Sequence, residues 1–135
     1  MKRCAIFLGF VLFAGAAGAA PPPMAVREIE GLITAMGASG CDFQRNGAWH
    51  PAKKAEDHLR RKYEYLRERN KVASAEEFIA LAGSRSSMSG RAYRVRCAGQ
   101  PAVDSADWLR ARLREIRKVK VTPPGRAPQR QETSG

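Results

Sequence analysis

Aromatic residues make up only 7% of this 135-residue chain, histidine occurs twice and cysteine three times. Acids are scarce too: 13 Asp and Glu stand against 24 Lys and Arg, for a formal net charge of +11. The apolar run from Cys4 to Phe13 falls short of the ~20 residues that a bilayer-spanning helix needs. There is no internal repeat, no Gly-x-Ser-x-Gly elbow and no Ser-x-x-Lys motif, so no standard nucleophile arrangement is present.

Each scarcity narrows the chemistry. Zinc takes three or four ligands at compact spacing, and His50 and His58 are the only histidines. With Pro51 between them, a continuous helix would set them about 80° apart around its axis and two turns apart along it. That is a poor ligand pair even with Asp57 or Asp42 beside it, and no metal or other cofactor is expected. No complete Ser/His/Asp triad can be named either. A basic chain attracts polyanions through charge alone, without specificity, and no aromatic-basic platform is legible around Phe43 and Trp49. Specific nucleic-acid binding is therefore not expected.

What is present begins with a leader. Lys2 and Arg3 precede the short apolar run, and "AGAAGAA" follows it, ending at Ala20. This is the pattern of a secretory signal peptide over residues 1–20, with a 21–24 leader of prolines behind it. Cys4 stands at the start of the apolar run rather than directly after it, so acylation of a lipoprotein type is not expected there. Loss of Lys2 and Arg3 lowers the net charge from +11 to +9. The expected location is periplasmic or secreted, with no transmembrane segment after cleavage. Two cysteines then remain, Cys41 and Cys97, and an exported chain most simply joins them in a disulfide. Closing such a loop contributes about 4 kcal/mol in the chain-entropy account. A nucleophilic Cys41 working with His50 or His58 would leave Cys97 unpaired in an oxidising compartment.

Along the mature chain, Val26, Ile29, Leu32, Ile33 and Met36 recur at helical spacing, predicting a first helix that Gly37 and Gly40 end. Asn46-Gly47 sits between two short runs and suits a type I′ hairpin turn. Pro51 suits the first turn of a second helix with Ala52, Ala55, Leu59, Tyr63 and Leu66 as its stripe. Ser74 and Glu77 form a capping box for a third, which buries Phe78, Ile79, Leu81 and Ala82. Residues 83–90 read as a polar loop and 92–97 as a half-buried strand. Asp104 or Ser105 caps a last helix carrying Trp108, Leu109, Leu113 and Ile116. The expectation is one α+β domain over 25–118, with about four helices on a small antiparallel sheet (the hairpin plus one strand) and one disulfide. Residues 119–135 are expected to be a disordered basic tail.

The segments "CDFQRNG", "AEDHLRRKYEY", "SAEEFI", "SSMSGRAYRVRC" and "SADWL", in that order, resemble the YfeK-like family of small secreted bacterial proteins, a domain of unknown function. The resemblance spans roughly residues 26–117. It implies export, a single α+β domain and the Cys41–Cys97 pair, and it implies no activity. The family's polar pattern falls on Arg45, Asn46, Gly47, His58, Lys62, Tyr63, Ser86, Ser87, Ser89, Gly90 and Tyr93. From these, Arg45, Asn46, His58, Lys62, Tyr63, Ser87 and Ser89 are the candidate ligand-binding residues. Arg85, Arg91, Arg94 and Arg96 lie near enough in sequence to add cationic donors for a carboxylate or phosphate. The reading is an exported cell-envelope binding or interaction module whose partner is an anionic envelope component or a protein. The alternative is a small periplasmic hydrolase using a Ser/His/Lys constellation.

Overall fold

The computed structural model describes residues 20–121. The leader over 1–20 and the tail over 119–135 fall, apart from Ala20 and 119–121, outside the described residues.

Helix α1, Pro23–Ala38, starts where proline's fixed φ is already helical and its missing N–H breaks no bond. Its stripe buries Ile29, Leu32, Ile33 and Met36 completely. Gly40 at φ +67 then reverses the chain into strand β1, Asp42–Arg45. Asn46 at φ 49 and Gly47 at φ 84 make the expected tight turn into β2, Ala48–Pro51. Pro51 closes the strand and caps helix α2, Ala52–Glu68, one position earlier than its predicted place inside the first turn. The α2 stripe of Ala52, Ala55, Leu59, Tyr63 and Leu66 is buried as predicted.

The Ser74 hydroxyl accepts from Glu77 N at 3.1 Å and starts α3, Ala75–Phe78. The Glu77 carboxylate reaches back to Ala73 N, one residue before the cap itself. The helix then widens into a π-turn, Ile79–Gly83. That widening corrects one expectation: Ile79 and Ala82 are buried, but Leu81 is 47% exposed. An i→i+5 turn holds an extra residue, so each residue advances less around the axis than in an α-helix, and Leu81 falls off the buried face.

Strands β3, Arg94–Arg96, and β4, Val103–Asp104, lead into helix α4, Ser105–Val121. The sheet is antiparallel with order β2-β1-β3-β4. It therefore has four strands where a hairpin and one strand were predicted, because two residues carry too little alternation to be read. Helix α4 also runs three residues past the predicted domain end at 118.

Register decides which side chains face the helices. Phe43 pairs with His50 on one side and Val95 on the other, so these three share the inner face. Asp42 pairs with Arg96 and Gln44 with Arg94, which puts both arginines on the outer face. There Arg96 bonds to Asp42 at 3.0 Å and covers Trp49 at 4.1 Å, while Arg94 approaches Asp104 at 3.9 Å. Carrying the register one step beyond Asp42 and Arg96 sets Cys41 opposite Cys97, and the two form the disulfide. It staples the two central strands where they enter and leave the core.

The core joins α1 to Leu59, Tyr63, Phe78, Ile79, Phe43, Val95, Leu109 and Leu113. Arg117 on α4 bonds to Glu28 on α1 at 3.0 Å and to Glu76 on α3 at 2.7 Å, tying three helices together.

Candidate functional site

On α2, His58 and Lys62 are four residues apart and so share one flank, beside the buried stripe. On β1, Arg45 lies two residues from Phe43 and points to the same inner face. The same register sets Tyr93, just before β3, level with Arg45. Three elements thus deliver Arg45, His58, Lys62 and Tyr93 to one place.

The contacts are specific. The Arg45 guanidinium stands 3.0 Å from His58 Nδ1, and His58 Nε2 stands 3.1 Å from the Tyr93 hydroxyl. Arginine has only donors, so Nδ1 must accept and the neutral ring carries its proton on Nε2. That proton goes to the Tyr93 oxygen, which Lys62 Nζ also approaches at 3.5 Å. Lys62 donates further to the Arg85 carbonyl at 3.3 Å and lies 5.3 Å from the Tyr93 ring centroid. The hydroxyl therefore receives two donors and keeps its own proton to give.

Electrostatics follow from this crowding of donors. Burial, reinforced by the charges of Arg45, Lys62 and Arg61 and by His50, lowers the His58 pKa to about 4. Burial and then Arg45 also hold Lys62 below the usual lysine value. Burial raises the Tyr93 hydroxyl. Among the described residues no carboxylate lies within ion-pair distance of Arg45, Arg61, Lys62, Arg85 or Arg91, whereas Lys53, Arg60, Arg94, Arg96, Arg110, Arg112 and Arg117 all have acid partners. Positive charge is left uncompensated on this face.

Two cavities flank the row. One, of about 350 Å³, is lined by Phe43, Arg45, His50, Lys54, Asp57, His58 and Arg61. The other, of about 400 Å³, is lined by His58, Arg61, Lys62, Tyr65, Leu66, Leu81 and Ser87. Both sizes fall in the range of small-molecule sites. His50 and His58 share the first cavity because strand β2 turns directly into α2, a reversal that a continuous helix between them would not make. Among the described residues no group of three or more His, Cys, Asp or Glu is arranged to hold a metal.

The remaining candidates divide. The Ser89 hydroxyl donates to Asn46 Oδ1 at 2.6 Å, tying the serine loop to the hairpin turn. Ser87 lines the second cavity. Tyr63 lies apart: one residue from Lys62, it turns about 100° around the helix into the core, edge-on to Phe78, and is 1% exposed. Arg94 and Arg96 also lie away from the site, on the outer face of the sheet. Among the described residues no serine hydroxyl bonds to His58 or Lys62, and both imidazole nitrogens are already occupied. Arg61 and Lys54 were not singled out from the sequence, Tyr93 stood in the family's polar pattern without being nominated as a ligand contact, and His50 was weighed only as a metal ligand or a partner of Cys41. For Tyr93 the signal was available, since its alternation with Val95 predicts an inward side chain.

A family model described as a family of unknown function (DUF5329) matches residues 23–117. No curated protein matches the chain, and no solved structure does. The chain belongs to this family, whose model covers nearly all of the described fold.

Proposed function

We propose that this member of a family of unknown function is an exported binding module of the cell envelope that holds an anionic group between β1, α2 and the segment leading into β3. The observation that carries the reading is the Arg45–His58–Tyr93–Lys62 chain, in which cationic donors converge beside a cavity while, among the described residues, no carboxylate is ion-paired with Arg45 or Lys62. Its donors are already oriented by one another, so little side-chain entropy is lost when an oxyanion arrives. The signal-peptide pattern and the Cys41–Cys97 disulfide support an oxidising compartment for this role.

A binding site differs from a merely basic surface in how substitutions act. Each charge-assisted contact contributes about 1.5–3 kcal/mol, so Arg45→Ala and Lys62→Ala should each weaken binding of inorganic phosphate roughly tenfold or more. Diffuse attraction would instead be spread over many bases and vanish at physiological salt. The experiment is a titration with phosphate, lipopolysaccharide and cell-wall fragments at low and physiological salt, followed by chemical shifts of His58 and Lys62. Equal binding by wild type and both variants would defeat the reading.

A further inference from the structure

The second cavity adds something the anion reading does not use. Beyond His58, Arg61, Lys62 and Ser87 its wall is apolar: buried Leu66 lies with Leu81 and Tyr65, which are 47% and 52% exposed. Leu81 lies within the π-turn, whose buried residues are Ile79, Ala82 and Gly83, and is left outside the core. The Arg69 guanidinium stacks 3.7 Å from the Tyr65 ring and steadies it. The methylene stems of Arg61 and Lys62 extend the apolar surface up to their charged ends. His58 and Arg61 line both cavities, so the groove lies directly beside the cationic cleft.

The charge on the cleft indicates the head group. Arg45, Lys54, Arg61 and Lys62 supply four cations against the single carboxylate of Asp57, which itself faces Lys53 at 3.4 Å. A surplus of three positive charges matches a dianion better than a lone carboxylate. Arginine pairs with the phosphate's oxygens two at a time, and the lysine ammoniums can donate to a third.

We propose that the two cavities form one site for a phosphate-headed, single-chain amphiphile. Its head lies against Arg45, Arg61 and Lys62, and its tail along Leu66, Leu81 and Tyr65. This rests on the anion-binding reading above and adds the apolar half of the ligand.

The test is calorimetry on the mature, disulfide-bonded chain with probes kept below their micelle concentrations. Inorganic phosphate, lysophosphatidates of increasing acyl length, the matching lysophosphatidylcholines and the matching fatty carboxylates are compared. Lysophosphatidate affinity should rise roughly two- to fourfold per methylene until the groove is filled. Leu81→Ser should flatten that rise, and because Leu81 is exposed the variant should still fold. The choline-headed lipids and the carboxylates should bind at least about tenfold more weakly, having lost a charge-assisted contact. Affinity independent of chain length, with Arg45-dependent phosphate binding intact, would overturn the amphiphile and leave the anion site standing. Equal affinity for choline or carboxylate heads would overturn the phosphate assignment. Failure of every phosphate-bearing probe to bind would remove both readings.

Discussion

Arg45 donates to His58 Nδ1 across 3.0 Å, and among the described residues no carboxylate is ion-paired with Arg45. An imidazole in that position serves the fold only while neutral. Protonation would put a proton on the nitrogen that faces the guanidinium.

The acid limb of stability should report this directly. His58 has its folded pKa lowered to about 4 from an ordinary 6.5. Below pH 6.5 the unfolded chain takes up a proton that the folded one refuses, so stability is full above that value and falls until about pH 4. With His58 only partly buried, solvent screening reduces the loss to on the order of 1–2 kcal/mol. His58→Gln should flatten this part of the profile. Following the His58 ring protons by NMR should place the midpoint near 4, and Arg45→Ala should move it upward while leaving the burial contribution. A midpoint at the ordinary histidine value would contradict the contact.

The disulfide joins the residue just before β1 to the residue just after β3, at a sequence separation of 56. Folded, unreduced protein should therefore show no reactive thiol from Cys41 or Cys97, and two after reduction. Cys41→Ser with Cys97→Ser should cost about 3–4 kcal/mol and lower the thermal midpoint by roughly ten degrees or more. A free thiol in the unreduced mature chain would rule the pairing out.

Asn46 serves two ends at once. Its φ of 49 shapes the hairpin turn, and its side chain accepts from Ser89 across the groove at 2.6 Å. Asn46→Gly keeps the turn and removes the bond, whereas Asn46→Ala loses both. Thermal melts should rank wild type above Asn46→Gly, and that above Asn46→Ala by about 1 kcal/mol. Identical midpoints for the two variants would mean that the turn conformation contributes nothing.

Most of the fold was legible because it is local. The Asn46-Gly47 turn, the Ser74 cap and the stripe from Ala52 to Leu66 each announce themselves within a few residues. Strand β4 did not, since Val103–Asp104 exists only by pairing with β3. Leu81 was misplaced because nothing in "EEFIALAG" distinguishes an α-turn from a π-turn. The site was half legible: Arg45, His58 and Lys62 could be nominated singly, but their convergence depends on how α2 lies over the sheet. Tyr63 was nominated with them although the stripe that contains it already assigned it to the core. The outward Arg94 and Arg96 could have been separated from the site by the same alternation that buries Val95.

The π-turn ends at a glycine that packing requires. A Cβ built on Gly83 would clash with Leu109 Cδ1, and Leu109 is fully buried in the N-terminal half of α4. Real carbon atoms do not approach so closely, so Gly83→Ala must displace either the leucine or the turn. In an exposed helix the same change would stabilise, because alanine loses less backbone entropy on folding. Here the clash should win, by about 1–3 kcal/mol. Leu109→Ala alone should cost about 2–5 kcal/mol through the cavity it leaves. Combined, the two should cost less than their sum, since the added methyl enters space the leucine vacates. Urea titrations of the wild type, both single variants and the double variant measure that coupling. Strict additivity would mean that the two side chains do not meet, and that Gly83 is tolerated rather than required where α3 passes into the serine loop.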